Sequence, residues 1–341
     1  MSPTSPPTTA APTTGPAPTG AAFGSVFGPS MAVSRFDGAT WSAPEVVDVA
    51  SFGMHPGTHA LHYGSSCFEG LKAHRFPDGR VVPFRPDVHI ARLRQSTARL
   101  CLPVPDAALV ARLIDMTVAA NEAVAPQPPG SLYLRPTELG TDVTIGAAAS
   151  PSVTAVLFVL ACPVGDYLPP RPLTISVETV TPRTTPQFGI VKAGANYAMA
   201  LPTIMVAKER DGADQVLFAP GGHLQETGAS NIVLIDGEHL VTPALTEAYL
   251  HGVTRDSLLR LARHLGWTVE ERGVTVADVV EWIARPTAEV ALSGTAAVVA
   301  PVGTLVVDGT PLAVGGGTVV QTAALRAALV DIQTGCAPFD W

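Results

Sequence analysis

Residues 189–198 read GIVKAGANYA. Small and apolar residues flank Lys192 on both sides before the chain turns polar at Asn196 and Tyr197. A lysine ammonium is strongly hydrated and seldom buried without a partner, yet no carboxylate lies nearby in sequence. The chain has three lysines, Lys72, Lys192 and Lys208. Lys208, in AKERDG, suits a helix C-terminus, where the dipole favours a cation. Lys72, in FEGLKAHRF, reads as a strand residue on a solvated face. Lys192 has two readings. One is a snorkelling side chain, its stem buried and its head wet. The other is a desolvated amine: burial disfavours the ammonium form, and an uncharged amine condenses with a carbonyl.

Three other stretches in the same half bear on the choice. Glu226, in HLQETGASNIVLI, lies in a turn between the strands QVLFA and NIVLID, where an acid among small residues is either an ordinary turn carboxylate or one buried against a cation. Gly252, Val253 and Thr254 precede a helix in LHGVTRDSLL, which reads as a plain N-cap or as an anion site built from helix amides. Gly294, Thr295 and Ala296, in LSGTAAVVAP, form a tight turn after a strand, another nest of amides. One amine, one acid and two anion-binding turns are what a pyridoxal-phosphate site needs: a covalent anchor, a partner for the pyridine nitrogen, and donors for phosphate and carboxylate.

The 341 residues exceed the size at which single cores stop growing, so two domains are expected. The apolar fraction is 47%, the charged fraction 15% and the net charge −8. With no run of Lys or Arg, a phosphate-backbone footprint is missing and nucleic-acid binding is disfavoured. Cys67, Cys101, Cys162 and Cys336 show no CxxC spacing, which reads as reduced thiols in a cytoplasmic protein. The longest apolar stretch, VTAVLFVLACPV, is shorter than the ~20 residues a membrane helix needs and reads as a buried strand. The N-terminal MSPTSPPTTAAPTTGPAPTG has neither the basic nor the apolar region of a secretory signal. Residues 1–22, rich in Pro, Thr and Ala, are expected to form a disordered extension.

From Phe23 the pattern is of short strands and turns, with MAVSRF, TWSAPEVVDV and the hairpin PDGR before VVPF. Helices are expected at PDVHIARLRQSTARLCL and DAALVARLIDMTVAANEAV, and strands at SLYLRPTELG and SVTAVLFVLACPV. Prolines 169, 170, 172, 182 and 186 mark the interdomain region 169–186, with a strand at LTISVE. This sets off a small domain over 23–168 and a large one, carrying Lys192, over 187–341. The second half offers a helix near TIMVAKERDG, strands at QVLFA, NIVLID and HLVTP, a helix at VTRDSLLRLARHLG and a strand at WTVEERG. A helix at VADVVEWIA, a strand at AEVALSG and a helix at TVVQTAALRAALVDIQTG complete it. Strands do not alternate strictly with helices, so the class is α+β with two domains.

FGSVF, LHYGSSCFEGLKA, HIARLRQS, LYLRPTELGTD, CPVGDY, KAGANY, QETGASN, GVTRDSLL and SGTA, in this order, closely resemble the branched-chain amino-acid aminotransferases, class IV pyridoxal-phosphate enzymes. The resemblance runs from Phe23 to the C-terminus. It implies the two-domain class IV fold, similar to D-amino-acid aminotransferase. The cofactor lysine then falls on Lys192, the acid facing the pyridine nitrogen on Glu226, and the tyrosine near the phenolic oxygen on Tyr197. Arg92, the backbone of Val253 and Thr254, and Thr295 become phosphate ligands. The substrate pocket falls on Phe23, Tyr63, Phe68, Tyr133, Arg135 and Tyr167, with the amides of Thr295 and Ala296 facing the α-carboxylate. The resemblance also implies a homodimer in which the partner supplies Tyr63 and the 145–147 loop. Its reaction is transamination between leucine, isoleucine or valine and 2-oxoglutarate, Arg135 and tyrosine hydroxyls holding the γ-carboxylate of glutamate.

The chain departs from that pattern in places. Ala229 replaces a residue whose hydroxyl can lie near the cofactor, and Ala147 is smaller than the usual valine. Glu138 occupies a stretch that relatives fill with apolar residues, and His251–Gly252 replaces the common Pro–Gly. A smaller partner loop leaves room for bulkier side chains, so an aromatic or modified amino acid is the alternative substrate. A non-catalytic small-molecule binding homologue is the alternative from another class, and the pairing of Lys192 with Glu226 weighs against it.

Overall fold

The structure, a computed structural model of the single chain, describes residues 22–167 and 171–341. The expected N-terminal extension, but for Ala22, and the chain between Tyr167 and Arg171 lie outside the described residues.

The first half forms an antiparallel sheet. Its strands are β1 (Ser30–Phe36), β2 (Glu45–Asp48), β3 (Ser66–Phe68), β4 (Leu71–Arg75), β5 (Val81–Pro83), β6 (Ser131–Gly140) and β7 (Ala155–Val164). Their order is β2-β1-β7-β6-β4-β5, with β3 also beside β6. Between them lie α1 (His59–Tyr63), α2 (Pro86–Arg99) and α3 (Ala107–Ala120). In α3 the buried positions Val110, Leu113, Ile114, Thr117 and Val118 keep the spacing of one helical face. That face and Ile90 and Leu93 of α2 cover Leu71, Leu132, Leu134, Leu157 and Val159 of the sheet. Strand alternation then sends Lys72, Tyr133 and Arg135 to the opposite face.

The second half forms a mixed sheet ordered β12-β11-β10-β13-β14-β8-β9, with β15 against β14. Its elements are β8 (Leu173–Glu178), α4 (Gly194–Asp211), β9 (Gln215–Phe218), β10 (Asn231–Asp236), β11 (His239–Pro243), α5 (Val253–His264), β12 (Thr268–Arg272), α6 (Val276–Ile283), β13 (Ala288–Gly294), β14 (Val298–Val307), β15 (Thr310–Ala313) and α7 (Val320–Gln333). The unbroken apolar run of β10 reflects a strand covered on both faces. Ile232 and Leu234 pack toward α6, while Val233 and Ile235 pack toward α5 and α7. The two sheets, each with its own helices, are the α+β arrangement that the sequence pattern predicts.

Three local features differ from the sequence reading. Helix α4 begins at Gly194 and runs through Pro202, whereas the reading starts it beyond that proline. Ala200 and Ala207 pack on Val216 and Phe218, and this packing outweighs the missing donor. The hairpin β14–β15 is additional. Its turn is Asp308–Gly309, with φ of 49° and 75°, an Asp-Gly pair suited to positive φ. Lys72 is not on a solvated face: it is 6% exposed.

Candidate active site

The loop before α4 carries Lys192, and its neighbours hold its backbone on both sides. The Lys192 amide donates to Ser96 Oγ on α2 at 3.1 Å, and its carbonyl accepts from the Phe68 amide at 3.0 Å. Buried Asn196 donates to the carbonyls of Val191 at 2.7 Å and Phe188 at 3.0 Å and accepts from Thr184 Oγ1 at 2.7 Å. Gly189 allows the loop to press on a second one: a Cβ there would stand 2.0 Å from the Ala248 carbonyl carbon.

Lys192 is half-buried, and its partner is a phenol. Nζ donates to Tyr197 Oη at 2.8 Å and lies 5.2 Å from the Phe68 ring centre and 5.5 Å from that of Tyr197. Burial pushes the Tyr197 phenol up, but the Lys192 charge and hydrogen bond, with Arg183, bring it below its ordinary value. The amine therefore stays in place without a carboxylate contact.

Glu226 sits between β9 and β10, fully buried, and Arg183 lies beside it, Nη1 to Oε1 at 3.0 Å. Oε1 also accepts from the Leu250 amide at 3.0 Å. Among the described residues Oε2 has only Asn231 Nδ2, at 3.5 Å, which leaves acceptor capacity for another donor. Burial holds the Glu226 carboxyl above its ordinary range, with the Arg183 charge opposing. A pyridinium N–H at Oε2 would supply a donor and a charge, so this carboxylate fits the ring nitrogen of pyridoxal phosphate.

The loop after β11 ends in α5, which has no side-chain cap. Among the described residues the Val253 and Thr254 amides have no protein acceptor, as an anion site at a helix start requires. Gly252 is needed here: a Cβ would stand 2.0 Å from Asn231 Oδ1. Arg92 reaches this loop, Nη1 to the His251 carbonyl at 2.8 Å. Its Nε and Nη2 lie on the two oxygens of Glu69 at 2.6 and 2.8 Å. Glu69 Oε2 also meets His89 Nδ1 at 2.8 Å. Burial would raise the Glu69 carboxyl, but the Arg92 charge and hydrogen bonds hold it well below the usual range. Two guanidinium N–H groups remain for a phosphate.

Of the expected substrate residues, Phe23, Phe68, Tyr133, Arg135 and Tyr167 form a continuous cluster. Tyr167 meets Phe23 (ring centres 5.4 Å apart) and Phe23 meets Tyr133 (4.9 Å). Tyr133 Oη accepts from Arg135 Nη2 at 2.9 Å. The Arg135 guanidinium lies 4.5 Å from the Phe68 ring centre, and Phe68 meets Tyr197 at 5.5 Å. Apolar rings around one cation suit a pocket that takes an aliphatic chain and a carboxylate in turn. Thr295 Oγ1 donates to the Gly70 carbonyl at 3.0 Å, and Gly294 to Ala297 line a cavity of about 660 Å³ with Phe23 and Tyr167. Tyr63 is apart from this cluster among the described residues. Its hydroxyl donates to the Ile145 carbonyl, so the two groups expected from the partner meet each other, with Ile145 73% exposed.

Ser96, Glu69 and Arg183 are site residues that sequence reasoning missed. A buried ion pair between residues 23 positions apart (Glu69, Arg92) or 43 apart (Arg183, Glu226) leaves no periodic signal. Ser96 lies inside the quoted HIARLRQS but looks like any helix serine.

The family described as "Amino-transferase class IV" matches residues 66–305. A probable branched-chain-amino-acid aminotransferase of Streptomyces coelicolor is 37% identical over 332 residues, 94% of this chain and 91% of that protein. Branched-chain-amino-acid transaminase 1 of Bacillus subtilis is 36% identical, with 94% and 92% covered. The branched-chain amino acid aminotransferase of Escherichia coli superposes with a TM-score of 0.74 at 26% identity, covering 92% of this chain and 97% of that one. A T.th. branched-chain amino acid aminotransferase, solved with pyridoxamine 5'-phosphate, gives a TM-score of 0.73 at 26% identity, with 90% and 96% covered. The chain therefore belongs to the class IV aminotransferases, among the branched-chain amino-acid enzymes, and is an aminotransferase that uses pyridoxal phosphate.

Proposed function

We propose that the protein transfers the amino group of leucine, isoleucine or valine to 2-oxoglutarate, giving the branched-chain 2-oxo acid and glutamate. The observation that carries this reading is the unbroken set of contacts from Lys192 through Tyr197, Phe68, Arg135 and Tyr133 to Phe23. It sets a reactive amine beside a pocket that is part aromatic and part cationic.

Pyridoxal phosphate, when bound, supplies the electron sink for the substrate's Cα–H bond. Lys192 would hold it, Glu226 Oε2 would take the pyridine N–H, and Arg92 with the Val253 and Thr254 amides would take the phosphate, the Thr295 hydroxyl being given to the Gly70 carbonyl. Lys192 Nζ, released when the substrate's amine displaces it, would be the base that takes the Cα proton and returns one on the far side of the substrate nitrogen, with Tyr197 Oη as its resting partner. Arg135 and Tyr133 orient a side-chain carboxylate when glutamate occupies the pocket. Phe23, Phe68 and Tyr167 exclude water from an aliphatic chain in the other half-reaction.

Supporting a homodimer completed by the partner's Tyr63 and 145–147 loop, Leu61, Val143 and Ile145 are exposed, as are Leu201 and Met205, four positions apart on one face of α4. Isolated apolar residues on a surface are ordinary, but contiguous ones mark interaction sites. Among the described residues no helix is long and apolar enough to cross a membrane, and we infer a cytoplasmic enzyme. Purified protein assayed with leucine, isoleucine, valine, phenylalanine and tryptophan against 2-oxoglutarate is expected to favour the first three. Preference for the aromatic pair would overturn the substrate assignment. Lys192→Ala is expected to lose the cofactor's visible absorbance and nearly all activity; retained turnover would overturn the role of Lys192.

A further inference from the structure

Lys72 is a buried cation outside the set of residues described above. It lies on β4 opposite Tyr133 of β6, and its Nζ donates to the Ala296 carbonyl at 2.7 Å. Two residues earlier on the same chain, the Gly70 carbonyl receives the Thr295 hydroxyl at 3.0 Å. The entry to β4 thus grips the β13–β14 turn at two consecutive residues, 224 or more positions away in sequence. The turn has little other anchorage. Among the described residues the amides of Thr295, Ala296 and Ala297 have no protein acceptor, and the turn closes at Val298 with φ of 61°, a costly conformation for a β-branched residue.

A trans peptide points its C=O and N–H in opposite directions. Fixing the Ala296 carbonyl on Lys72 therefore turns the Ala297 N–H away from β4, and residues 294–297 line the cavity that Phe23 and Tyr167 close. A charged donor on a carbonyl also polarises that peptide and strengthens its N–H as a donor.

We propose that Lys72 is a positioning residue for carboxylate recognition, holding the 295–297 turn so that its free amides face the substrate's carboxylate. The proposal rests on the transaminase reading and adds to it a residue that does not touch substrate. Charged and titratable groups face Lys72 from three elements besides β6: Asp166 after β7, Arg326 on α7 and His74 on β4 itself. Asp166 is paired with Arg326, and burial keeps His74 neutral, at about 3. Burial also brings the Lys72 ammonium down to about 8, with Asp166 opposing and Arg326 assisting. The charge on this donor is consequently lost within the working range of a pH titration.

The test is the binding of 4-methylvalerate, a carboxylate with no amino group, to holoenzyme variants, together with steady-state kinetics. In Lys72→Met the dissociation constant and the amino-acid KM are expected to rise roughly tenfold, with kcat changed less than about threefold and cofactor absorbance unchanged. Lys72→Arg, which stays charged at every accessible pH, is expected to bind within about threefold of the wild type and to lose the weakening that the wild type shows above pH ~8. Unchanged affinity in Lys72→Met overturns the proposal, as does a Lys72→Arg variant as weak as Lys72→Met. Should Lys72→Met fail to fold, the pH titrations of wild type and Lys72→Arg decide, and coincident curves overturn it. A wild type without cofactor absorbance or transamination overturns the transaminase reading itself, an outcome distinct from those.

Discussion

Arg92 lies across both oxygens of the Glu69 carboxylate, at 2.6 and 2.8 Å, while its remaining nitrogen reaches the loop that opens α5. The pair is buried, Glu69 being 1% exposed. A pair of this kind adds little over an apolar replacement, but losing one member strands the other's charge at a cost of about 3–5 kcal/mol. Glu69→Gln is therefore expected to lose about 3 kcal/mol of stability in urea unfolding and to release pyridoxal phosphate more readily on dialysis. Unaltered stability and cofactor retention would show that Arg92 needs no counter-ion to reach the α5 loop.

Glu226 and Arg183 form the second such pair. Glu226→Gln keeps the shape and removes the charge that favours a protonated ring nitrogen. We expect kcat to fall at least a hundredfold, about 3 kcal/mol in barrier, with the cofactor still bound by absorbance. Wild-type kcat in this variant would place the partner of the ring nitrogen elsewhere.

Gly70 is a matter of space. A Cβ there would stand 2.1 Å from the Tyr133 hydroxyl, which Arg135 uses as its acceptor. Gly70→Ala is expected to displace Tyr133 and raise the KM for 2-oxoglutarate roughly tenfold, about 1.4 kcal/mol, more than that for leucine. Equal changes for both substrates would contradict a selective role for Tyr133 and Arg135.

Glu138 contributes a pH dependence. It is fully buried on β6, among the described residues neither carboxylate oxygen is hydrogen-bonded, and burial raises its carboxyl to about 9. The folded state keeps this proton while the unfolded state releases it near 4.5, so stability falls as pH rises between those values. Glu138→Leu is expected to stabilise the protein, with a gain larger at pH 8 than at pH 5 by about 4 kcal/mol. His74 acts on the acid side. Burial lowers it to about 3 from 6.5, so its contribution is whole above 6.5 and lost as pH falls toward 3. Urea midpoints at pH 5, 6.5 and 8 for wild type and Glu138→Leu check the sign, and a gain independent of pH would refute it.

Local periodicity made most elements legible. The burial spacing in α3 and the two-sided apolar run of β10 depend only on neighbours in sequence and on which face must be dry. The start of α4 was not legible, because Pro202 argues locally for a later start and only the packing of Ala200 and Ala207 on β9 overrules it. The β14–β15 hairpin had a signal in Asp308–Gly309 that the reading did not use. Lys72 was misplaced because an alternating strand tells which residues share a face but not what covers that face.

The sequence by itself determined the class of elements and the order of the motifs, which follow from residue type and short spacing. It left Lys192 and Glu226 two readings each, and the resemblance carried by the motifs is what singled them out. Only the tertiary structure decided the partners: Tyr197 for Lys192, Arg183 for Glu226, Glu69 for Arg92 and the Ala296 carbonyl for Lys72. The physical reason is desolvation. A buried charge must find its counterpart wherever the fold brings one within about 3 Å, and that distance bears no relation to separation along the chain.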